Sequence, residues 1–386
     1  MAESPGLRVV HLIASRQRRG AEVFASDLVR ALSAAGIDQR VVVLRDHGGD
    51  VISFDAPVLV LGAGLSGPLR MDLGATRRLH SLVRSIGADV LQAHGGEALK
   101  YAVPATFRTG CKVVYRRIGT SGDGTVRAFR LAGHHRLVRR AAGVVAVSEA
   151  ARSEMVDSFG VPEDRVTIIP NGVDRERSLP ARSRSMVRRE LDIDEGAEVV
   201  VSVGALNWEK DPLAQLEVFG RVAQDRPRSV LVMVGQGPLE DATRQATEHL
   251  HLAERVRMLG VRNDVPDILA ASDVLLLASK TEGMPGVVIE AGIANLPVAG
   301  YRLSGVPEVV VNGSTGLLAR AGDVDGLATC VTKVLAEAES RVRMGRAAHR
   351  RCIERFTMES IAPSYLEVYR RVTNSPRMAQ EVEEKL

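Results

Sequence analysis

The 386-residue chain is long enough for two or three domains with large apolar cores, and its hydrophobic fraction of 45% is typical of a soluble globular protein. Aromatic residues make up only 3% of the chain, which argues against stacking surfaces for single-stranded nucleic acid. A net charge of +4 is too diffuse for DNA binding, although it suits anionic small molecules or an acidic membrane surface.

No sign of export or membrane insertion is present in the sequence. No segment approaches the roughly 20 apolar residues of a membrane-spanning helix. The apolar run at residues 9–14 lacks the small-residue cleavage site of a signal peptide. Cys111, Cys330 and Cys352 are odd in number and widely spaced, so they predict neither disulfides nor a zinc site. We therefore expect a cytoplasmic protein.

Short β-branched runs alternate with helix-length amphipathic stretches along the whole chain. The predicted strands are Arg8–Ile13, Arg40–Leu44, Pro57–Leu61, Asp89–Ala93, Lys112–Tyr115, Gly143–Val147, Val166–Ile169, Val199–Val203, Val230–Val234, Val256–Met258, Val274–Leu277, Pro297–Ala299 and Gly316–Ala319. In the first predicted helix, Phe24, Leu28, Val29 and Leu32 form one apolar stripe. This alternation predicts an α/β fold of two doubly wound Rossmann-like domains that face each other across a cleft.

A polar stretch rich in Arg and Ser over residues 175–189 shows no strand pattern and separates the two halves. The predicted division is an amino-terminal domain over 1–174, a linker over 175–190 and a carboxyl-terminal domain over 191–357. Three late helices are predicted, at Val324–Ala338, Arg341–Phe356 and Met358–Val372. The last of them, within 358–386, is expected to return to the amino-terminal domain before a charged tail.

Glu282 and Glu290 stand eight positions apart around a turn broken by Gly and Pro. On one continuous helix they would lie about 12 Å apart along the axis, too far for a carboxylate pair acting on one bond, which needs roughly 5–9.5 Å. Gly283, Pro285 and Gly286 make such a helix improbable. Glu282 is therefore predicted in a loop and Glu290 in the first turns of the next helix. Taken alone, the pattern also fits an ordinary connection with two solvated acids.

Three other strand ends hold residues that suit a charged ligand. Gly20 precedes the first helix, where backbone N–H groups can approach a phosphate, although a plain helix start is as consistent. Lys210 precedes a helix that Asp211 can cap and Pro212 can open, so it is either a partner for a diphosphate or a solvated lysine. His94 follows a strand and precedes two glycines, which suits a cleft or the edge of a core.

Together these segments resemble the retaining nucleotide-sugar glycosyltransferases of the GT-B fold, family 4. The resemblance covers nearly the whole chain, and any one segment is common whereas the full set in order is highly specific. The segments are residues 20–22, 93–95, 147–148, 169–174 and 203–210, the pair Glu282 and Glu290, and residues 305–308 and 312–318.

The resemblance implies a donor site around the two glutamates. Glu282 resembles the glutamate that contacts hydroxyls of the transferred sugar, and Glu290 resembles the one that holds the ribose hydroxyls. The turn between them resembles the loop whose backbone N–H groups meet the diphosphate. That turn consists of Gly283, Met284, Pro285, Gly286 and Val287.

It also implies roles for residues in other loops. Lys210, near Gly204, resembles the cation that neutralises the leaving diphosphate, and His94 the histidine near the sugar's reacting face. Val261 and Arg262 fall where the nucleobase is held. The implied enzyme is retaining and metal-independent, uses a UDP- or GDP-sugar without a further cofactor, and acts in bacterial cell-surface polysaccharide or lipopolysaccharide synthesis.

The chain departs from the family pattern at two donor positions. Members often carry an arginine where Ala205 stands, and the first loop has Arg19 before Gly20 in place of a second glycine. Both departures bear on how strongly the diphosphate is bound. Fixed N–H dipoles and Lys210 are expected to stabilise the departing diphosphate.

Positive charge indicates an acidic acceptor. Arg18, Arg19 and Arg116 are predicted on the acceptor side, which favours a phosphate-bearing or acidic glycan or glycolipid. A predicted helix is loaded with basic residues that either lie on an anionic membrane surface, on the inner face of the cytoplasmic membrane, or form a solvated face. They are Arg127, Arg130, His134, His135, Arg136, Arg139 and Arg140.

Two other classes of protein remain open on the sequence. A nucleotide-sugar 2-epimerase shares the two-domain organisation and would consume donor without any acceptor. An inactive subunit that only binds a sugar nucleotide is the third class, and Ala205 lends it slight support.

Overall fold

The structure is a computed structural model that describes residues 6–46, 48, 51–64, 71–118 and 128–373, with the side chains of 128–132 excepted. These residues form two compact units. One ends at Asn171 and resumes at Met358, and the other spans Gly172–Thr357. Within the described ranges, no helix has the length and apolar character needed to cross a membrane.

The first unit is built on a seven-stranded parallel sheet with the order β3-β2-β1-β4-β5-β6-β7. The strands are β1 Arg8–Ile13, β2 Asp38–Val43, β3 Val58–Val60, β4 Val90–His94, β5 Lys112–Arg117, β6 Gly143–Ala146 and β7 Val166–Ile168. The helices are α1 Gly20–Ala34, α2 Leu73–Ile86, α3 Gly96–Ala105, α4 Ala128–Val138 and α5 Glu149–Ser153, which continues as a wider helical turn over Glu154–Ser158.

The second unit is built on a six-stranded parallel sheet with the order β10-β9-β8-β11-β12-β13. The strands are β8 Glu198–Val203, β9 Ser229–Val234, β10 Val256–Met258, β11 Val274–Leu277, β12 Val298–Tyr301 and β13 Gly316–Ala319. The helices are α6 Arg184–Glu190, α7 Pro212–Asp225, α8 Glu240–His249, α9 Val265–Ala270, α10 Gly286–Ile293, α11 Val306–Val309, α12 Val324–Ala336 and α13 Ala338–Arg355. Helix α14, Met358–Thr373, ends the described chain.

Every predicted strand is present, which confirms the α/β class and the two Rossmann-like domains. Central strands such as β4 and β11 are buried along their full length, as expected for parallel sheets covered on both faces. The predicted apolar stripe of α1 is buried as well, with Phe24, Leu28, Val29 and Leu32 in the core of the first unit.

Helix α14 packs on the first unit although it ends the described chain. The Tyr365 ring lies 5.9 Å from the Phe24 ring of α1, and Tyr369 is completely buried. Gly143 of β6 approaches the helix so closely that an added Cβ would lie 3.0 Å from Val372. The predicted charged tail, residues 374–386, lies outside the described residues.

The structure corrects the predicted linker over 175–190. Part of this stretch forms α6, and Arg188 in that helix is only 1% exposed. Its guanidinium donates to the carbonyl oxygen of Ala271 at 3.0 Å and binds Asp273 at 2.9 Å. The five donors of arginine allow its burial where acceptors surround it. Residues 175–190 therefore belong to the second unit.

Replacing Arg188 with Ala should lower the free energy of unfolding by about 3 kcal/mol, because it breaks a buried ion pair. The matched control is Arg189→Ala in the same helix, where the side chain is exposed and the expected change is within about 0.5 kcal/mol. Denaturant-induced unfolding measures both. Equal, small effects in the two variants would contradict the structural role of Arg188.

Candidate active site

Each sheet has one place where the strand order reverses, between β1 and β4 in the first unit and between β8 and β11 in the second. At such a switch point the connections leave neighbouring strands toward opposite faces, and ligands bind at the carboxyl ends of the strands. Predicted site residues follow or end these four strands: Gly20 after β1, His94 at the end of β4, Lys210 after β8 and Glu282 after β11.

Lys210 and Glu282 form an ion pair at the switch point of the second sheet. The Lys210 Nζ atom lies 2.5 Å from Oε1 of Glu282, and Ser279 Oγ donates to the same oxygen at 2.6 Å. The Glu282 side chain is 6% exposed and that of Lys210 is 26% exposed. The carboxylate is thus buried against a cation and a hydroxyl, while the ammonium keeps access to solvent. The sequence did not lead us to expect a contact between Lys210 and Glu282, and Ser279 was not among the predicted site residues.

Local hydrogen bonds fix the loop that carries Lys210. Its N–H donates to Asn207 Oδ1 at 3.0 Å, and its carbonyl oxygen accepts from Gln215 Nε2 at 2.7 Å. Asp211 has a left-handed backbone with φ 45° and caps α7, and Pro212 is the first residue of that helix, as predicted. The base of the lysine side chain is therefore held on both sides.

The turn between the two glutamates is held against the loop after β12. Gly305 N donates to Gly283 O at 2.8 Å, and a Cβ on Gly305 would lie 2.3 Å from that oxygen. Glu282 is in the loop and Glu290 is in the second turn of α10, as predicted. Helix α10 begins at Gly286, and among the described residues no side chain caps it. Its first N–H groups are therefore suited to an anion.

The remaining residues of this turn divide between core and surface. Met284 is 3% exposed, so its side chain anchors the turn, while Pro285 precedes α10 with an extended backbone and Val287 lies in the first turn. Glu290 is 17% exposed and lies 3.7 Å from Nη1 of Arg177. The second glutamate is therefore accessible and close to a cation.

Sequence reasoning also missed the loop after β9, which packs on the Gly204 loop. Gly235 has φ 131°, and a Cβ there would lie 2.0 Å from the Gly204 carbonyl oxygen. A Cβ on Gly237 would lie 2.4 Å from the carbonyl oxygen of Leu206. Only glycine allows this approach of two backbones. The signal was present as two glycines, one residue apart, directly after a predicted strand.

The predicted nucleobase region lies after β10. Val261 is 47% exposed, whereas Arg262 binds Asp264 at 2.8 Å and Glu190 at 2.7 Å. Hydrogen bonds to these two carboxylates raise the pKa of Arg262. The guanidinium is thus engaged within the second unit, and Val261 provides the exposed surface.

His94 is buried and hydrogen-bonded to a second histidine. It is the last residue of β4 and is 4% exposed, and its Nε2 lies 3.1 Å from Nδ1 of His11. His11 Nε2 lies 2.9 Å from Oε1 of Gln39. Burial lowers the pKa of His11 to about 4. Burial, with the nearby His11 and Arg116, lowers the pKa of His94 well below its usual value, so both rings are neutral at physiological pH.

His11 and Gln39 were not among the predicted site residues, because both lie inside strands. His11 lies in β1 and Gln39 in β2, where an isolated polar residue fits a satisfied core position. A polar residue in an otherwise apolar buried strand is the signal that was available for His11.

The three predicted acceptor-side arginines differ in their surroundings. Arg18 and Arg19 are exposed just before Gly20 and the start of α1. Arg116 is 1% exposed, lies over the Phe24 ring with its Cζ atom 3.5 Å from the centroid, and donates to Asn171 Oδ1 at 2.5 Å. Arg116, which was predicted on the acceptor side, is therefore a core residue.

The predicted basic helix corresponds to α4 only in part. Arg127 and the side chain of Arg130 lie outside what the structure describes. The His134 ring packs edge-on against Phe159, and burial lowers its pKa to about 4, so it contributes no positive charge at neutral pH. His135 also packs on that ring. The exposed basic residues of this region are Arg136, Arg139 and Arg140.

Comparison with known proteins assigns a family domain to each unit. The family described as Glycosyltransferase Family 4 matches residues 18–177, and the family described as Glycosyl transferases group 1 matches residues 183–351. The amino-terminal part of the chain therefore belongs to family 4, as the resemblance implied, and the carboxyl-terminal part belongs to group 1.

Curated relatives match part of the chain. N-acetyl-alpha-D-glucosaminyl L-malate synthase from Bacillus anthracis is 29% identical over 226 residues, which cover 58% of each chain. The Escherichia coli UDP-Gal:alpha-D-GlcNAc-diphosphoundecaprenol alpha-1,3-galactosyltransferase is 34% identical over 174 residues, 44% of this chain and 45% of that enzyme. The chain therefore spans about half the length of these two relatives.

A solved structure covers nearly the whole chain. The crystal structure of Anabaena HepE in complex with UDP and glucose superimposes with a TM-score of 0.81 and 22% sequence identity. The match covers 94% of this chain and 98% of that one. At this identity the likeness establishes the GT-B fold.

Glu22, in the first turn of α1 of the glycosyltransferase, is a buried carboxyl. Burial raises its pKa from 4.5 to about 7, and its backbone hydrogen bond, Arg19 and Arg116 offset part of this effect. The native state therefore binds the proton more tightly than the unfolded state. Stability contributed by the protonated carboxyl is present below pH 4.5 and is lost as the pH rises through about 7.

We expect the free energy of unfolding of Glu22→Gln, relative to that of the native enzyme, to increase by about 3 kcal/mol between acidic and mildly alkaline pH. Denaturant-induced unfolding of both proteins across that range measures the difference. Two curves that run parallel at all pH values would contradict a raised pKa for Glu22.

Proposed function

We propose that this glycosyltransferase transfers a sugar from a nucleotide-diphosphate donor to a glycan or glycolipid acceptor, with retention of configuration and without a metal ion. The observation that supports this most directly is the Lys210–Glu282 ion pair at the β8–β11 switch point, next to the uncapped start of α10. A cation, a buried carboxylate and free helix N–H groups at one sheet edge suit a diphosphate bonded to a polyhydroxylated sugar.

Lys210 and the Gly283–Val287 turn bind the diphosphate in this proposal. The bond between the sugar C1 and the diphosphate oxygen breaks, and its electron pair leaves with that oxygen. The ammonium and the N–H groups of α10 stabilise the developing charge. Lysine has three N–H donors, so Lys210 can contact Glu282 and a phosphate oxygen at once. Ala205 brings no charge, which increases the importance of Lys210.

The two glutamates bind hydroxyl groups of the donor. Glu282 accepts hydrogen bonds from the transferred sugar, and Glu290 accepts them from the ribose, since one carboxylate can accept two hydrogen bonds from a diol. The exposed Val261 lies against the nucleobase, next to the backbone of Arg262. Retention places the acceptor hydroxyl on the face from which the diphosphate leaves. The acceptor oxygen forms the new bond to C1, and its proton passes to the departing diphosphate oxygen.

The acceptor is proposed to carry negative charge. Arg18 and Arg19 are exposed beside the first switch point, and Arg136, Arg139 and Arg140 are exposed around the end of α4. The names of the two curated relatives refer to L-malate and to a diphosphoundecaprenol-linked sugar, both of which are anionic. A lipid-linked glycan would place the enzyme at the inner face of the cytoplasmic membrane, where exposed arginines favour anionic lipid.

The donor is tested with a panel of UDP-glucose, UDP-galactose, UDP-N-acetylglucosamine and GDP-mannose. We expect one of them to raise the melting temperature, and to be consumed only when an acidic or phosphate-bearing acceptor is added, in the presence of EDTA. Turnover should fall as salt is raised. Consumption without acceptor, giving an epimeric nucleotide sugar, would instead indicate an epimerase. Equal turnover of an uncharged acceptor with no salt effect would contradict the acidic acceptor.

Replacing Lys210 with Ala should lower kcat/KM by about 10²–10³-fold, as expected for loss of one group that stabilises the leaving charge. The matched control is Lys280→Ala, which removes a lysine whose Nζ pairs with Asp211 at 2.8 Å and whose side chain is 48% exposed. Its expected effect is less than about threefold, since an exposed ion pair contributes little. Steady-state kinetics on folded protein distinguishes the two. An unchanged kcat/KM in Lys210→Ala would refute the role of Lys210.

A further inference from the structure

Three buried polar side chains form a hydrogen-bonded chain across neighbouring strands of the first sheet. Gln39 lies on β2, His11 on β1 and His94 on β4, with exposed fractions of 3%, 0% and 4%. The two imidazole rings meet edge to edge, with centroids 5.4 Å apart and planes inclined by 27°. The chain, here called the Gln39–His11–His94 relay, ends at the switch point between β1 and β4.

The amide of Gln39 sets the direction of the first hydrogen bond. Its Nε2 donates to the carbonyl oxygen of Val29 at 2.9 Å and also bonds to Ser33 Oγ at 2.9 Å. A carbonyl oxygen only accepts, so Nε2 must be the atom on that side and Oε1 must face His11. Because Oε1 also only accepts, the Nε2 atom of His11 must carry a proton.

The tautomer of His11 determines which atom donates in its hydrogen bond with His94. Burial keeps His11 neutral, so a ring protonated at Nε2 has a lone pair on Nδ1. That lone pair accepts from His94 across 3.1 Å, so the proton of neutral His94 resides on its Nε2. The Nδ1 atom of His94 is consequently an acceptor. Among the described residues this buried Nδ1 atom has no hydrogen-bond partner.

We infer that Gln39 and His11 are positioning residues that hold His94 in the Nε2-protonated tautomer, so that its Nδ1 atom accepts a hydrogen bond from a hydroxyl of a sugar bound at the β1–β4 switch point. The sugar hydroxyl in this inference rests on the proposed function. The tautomer of His94 rests only on hydrogen bonds within the first unit. A buried acceptor without a partner is costly, and a hydroxyl donor from a ligand would satisfy it.

The tautomer is measured on the native protein without any ligand. Selective ¹⁵N labelling of histidine and long-range proton–nitrogen correlations show which ring nitrogen carries the proton, and His94→Gln identifies the His94 signals. We expect Nε2 to be protonated in both His11 and His94. A proton on Nδ1 of His94 would overturn the inference, whatever the activity of the enzyme.

The variants test whether the tautomer matters for the reaction. Gln39→Met removes the acceptor that fixes His11, so His94 should exchange between tautomers and kcat/KM should fall about tenfold, near the upper range for one net hydrogen bond. His11→Leu removes the acceptor next to His94 and should give the same two changes. Kinetics use the panel sugar that stabilises the native protein.

Gln92→Met is the matched control. Gln92 is completely buried on β4, and within the described part of the chain its amide makes no hydrogen bond. This variant should leave both the tautomer and kcat/KM unchanged. A tenfold loss in Gln39→Met with an unchanged His94 tautomer, or a changed tautomer with full activity, would overturn the positioning role. A native protein that binds and consumes no panel sugar would contradict the proposed function instead, and the ligand-free spectrum would still decide the tautomer.

Discussion

The Lys210–Glu282 ion pair exists because the strand order of the second sheet reverses between β8 and β11. The two residues are 72 positions apart in the chain, yet each follows one of two hydrogen-bonded neighbouring strands. Their loops therefore start side by side at the same sheet edge. The glycine contacts around them, such as Gly305 with Gly283, let further backbones approach this edge without side chains between them.

This arrangement makes the carboxylate of Glu282 dependent on its partners. Removing a carboxylate from water costs several kcal/mol, and a cation with good geometry recovers that cost only when other hydrogen bonds complete the shell. Lys210 and Ser279 provide these contacts to one oxygen. In the proposed complex, hydroxyl groups of a sugar supply the same kind of donor, so they extend the existing interactions of Glu282 and require no charged group to lose its partner.

Local sequence patterns were sufficient to predict the strands, since a β-branched run marked each of them. The Gly and Pro residues likewise placed Glu282 in a loop and Glu290 in a helix. The burial of long polar side chains could not be predicted from local patterns. Strand β5 extends two residues beyond the predicted Tyr115, which brings Arg116 into the sheet and onto Phe24. Arg188 likewise depends on acceptors more than 80 residues away. Contacts between distant segments decide such positions, and a single sequence carries no local signal for them.

The two switch points differ in the chemistry that they offer to a ligand. Lys210 presents a positive charge, which attracts a diphosphate. The His11–His94 pair is neutral, because burial disfavours the imidazolium and the Arg116 charge disfavours it further for His94. An ionised phosphate oxygen has no proton to donate, so the lone pair of a neutral imidazole acceptor repels it, whereas a sugar hydroxyl can donate to that lone pair. The switch point of the second sheet therefore suits an anionic diphosphate, and that of the first sheet suits a hydroxyl group.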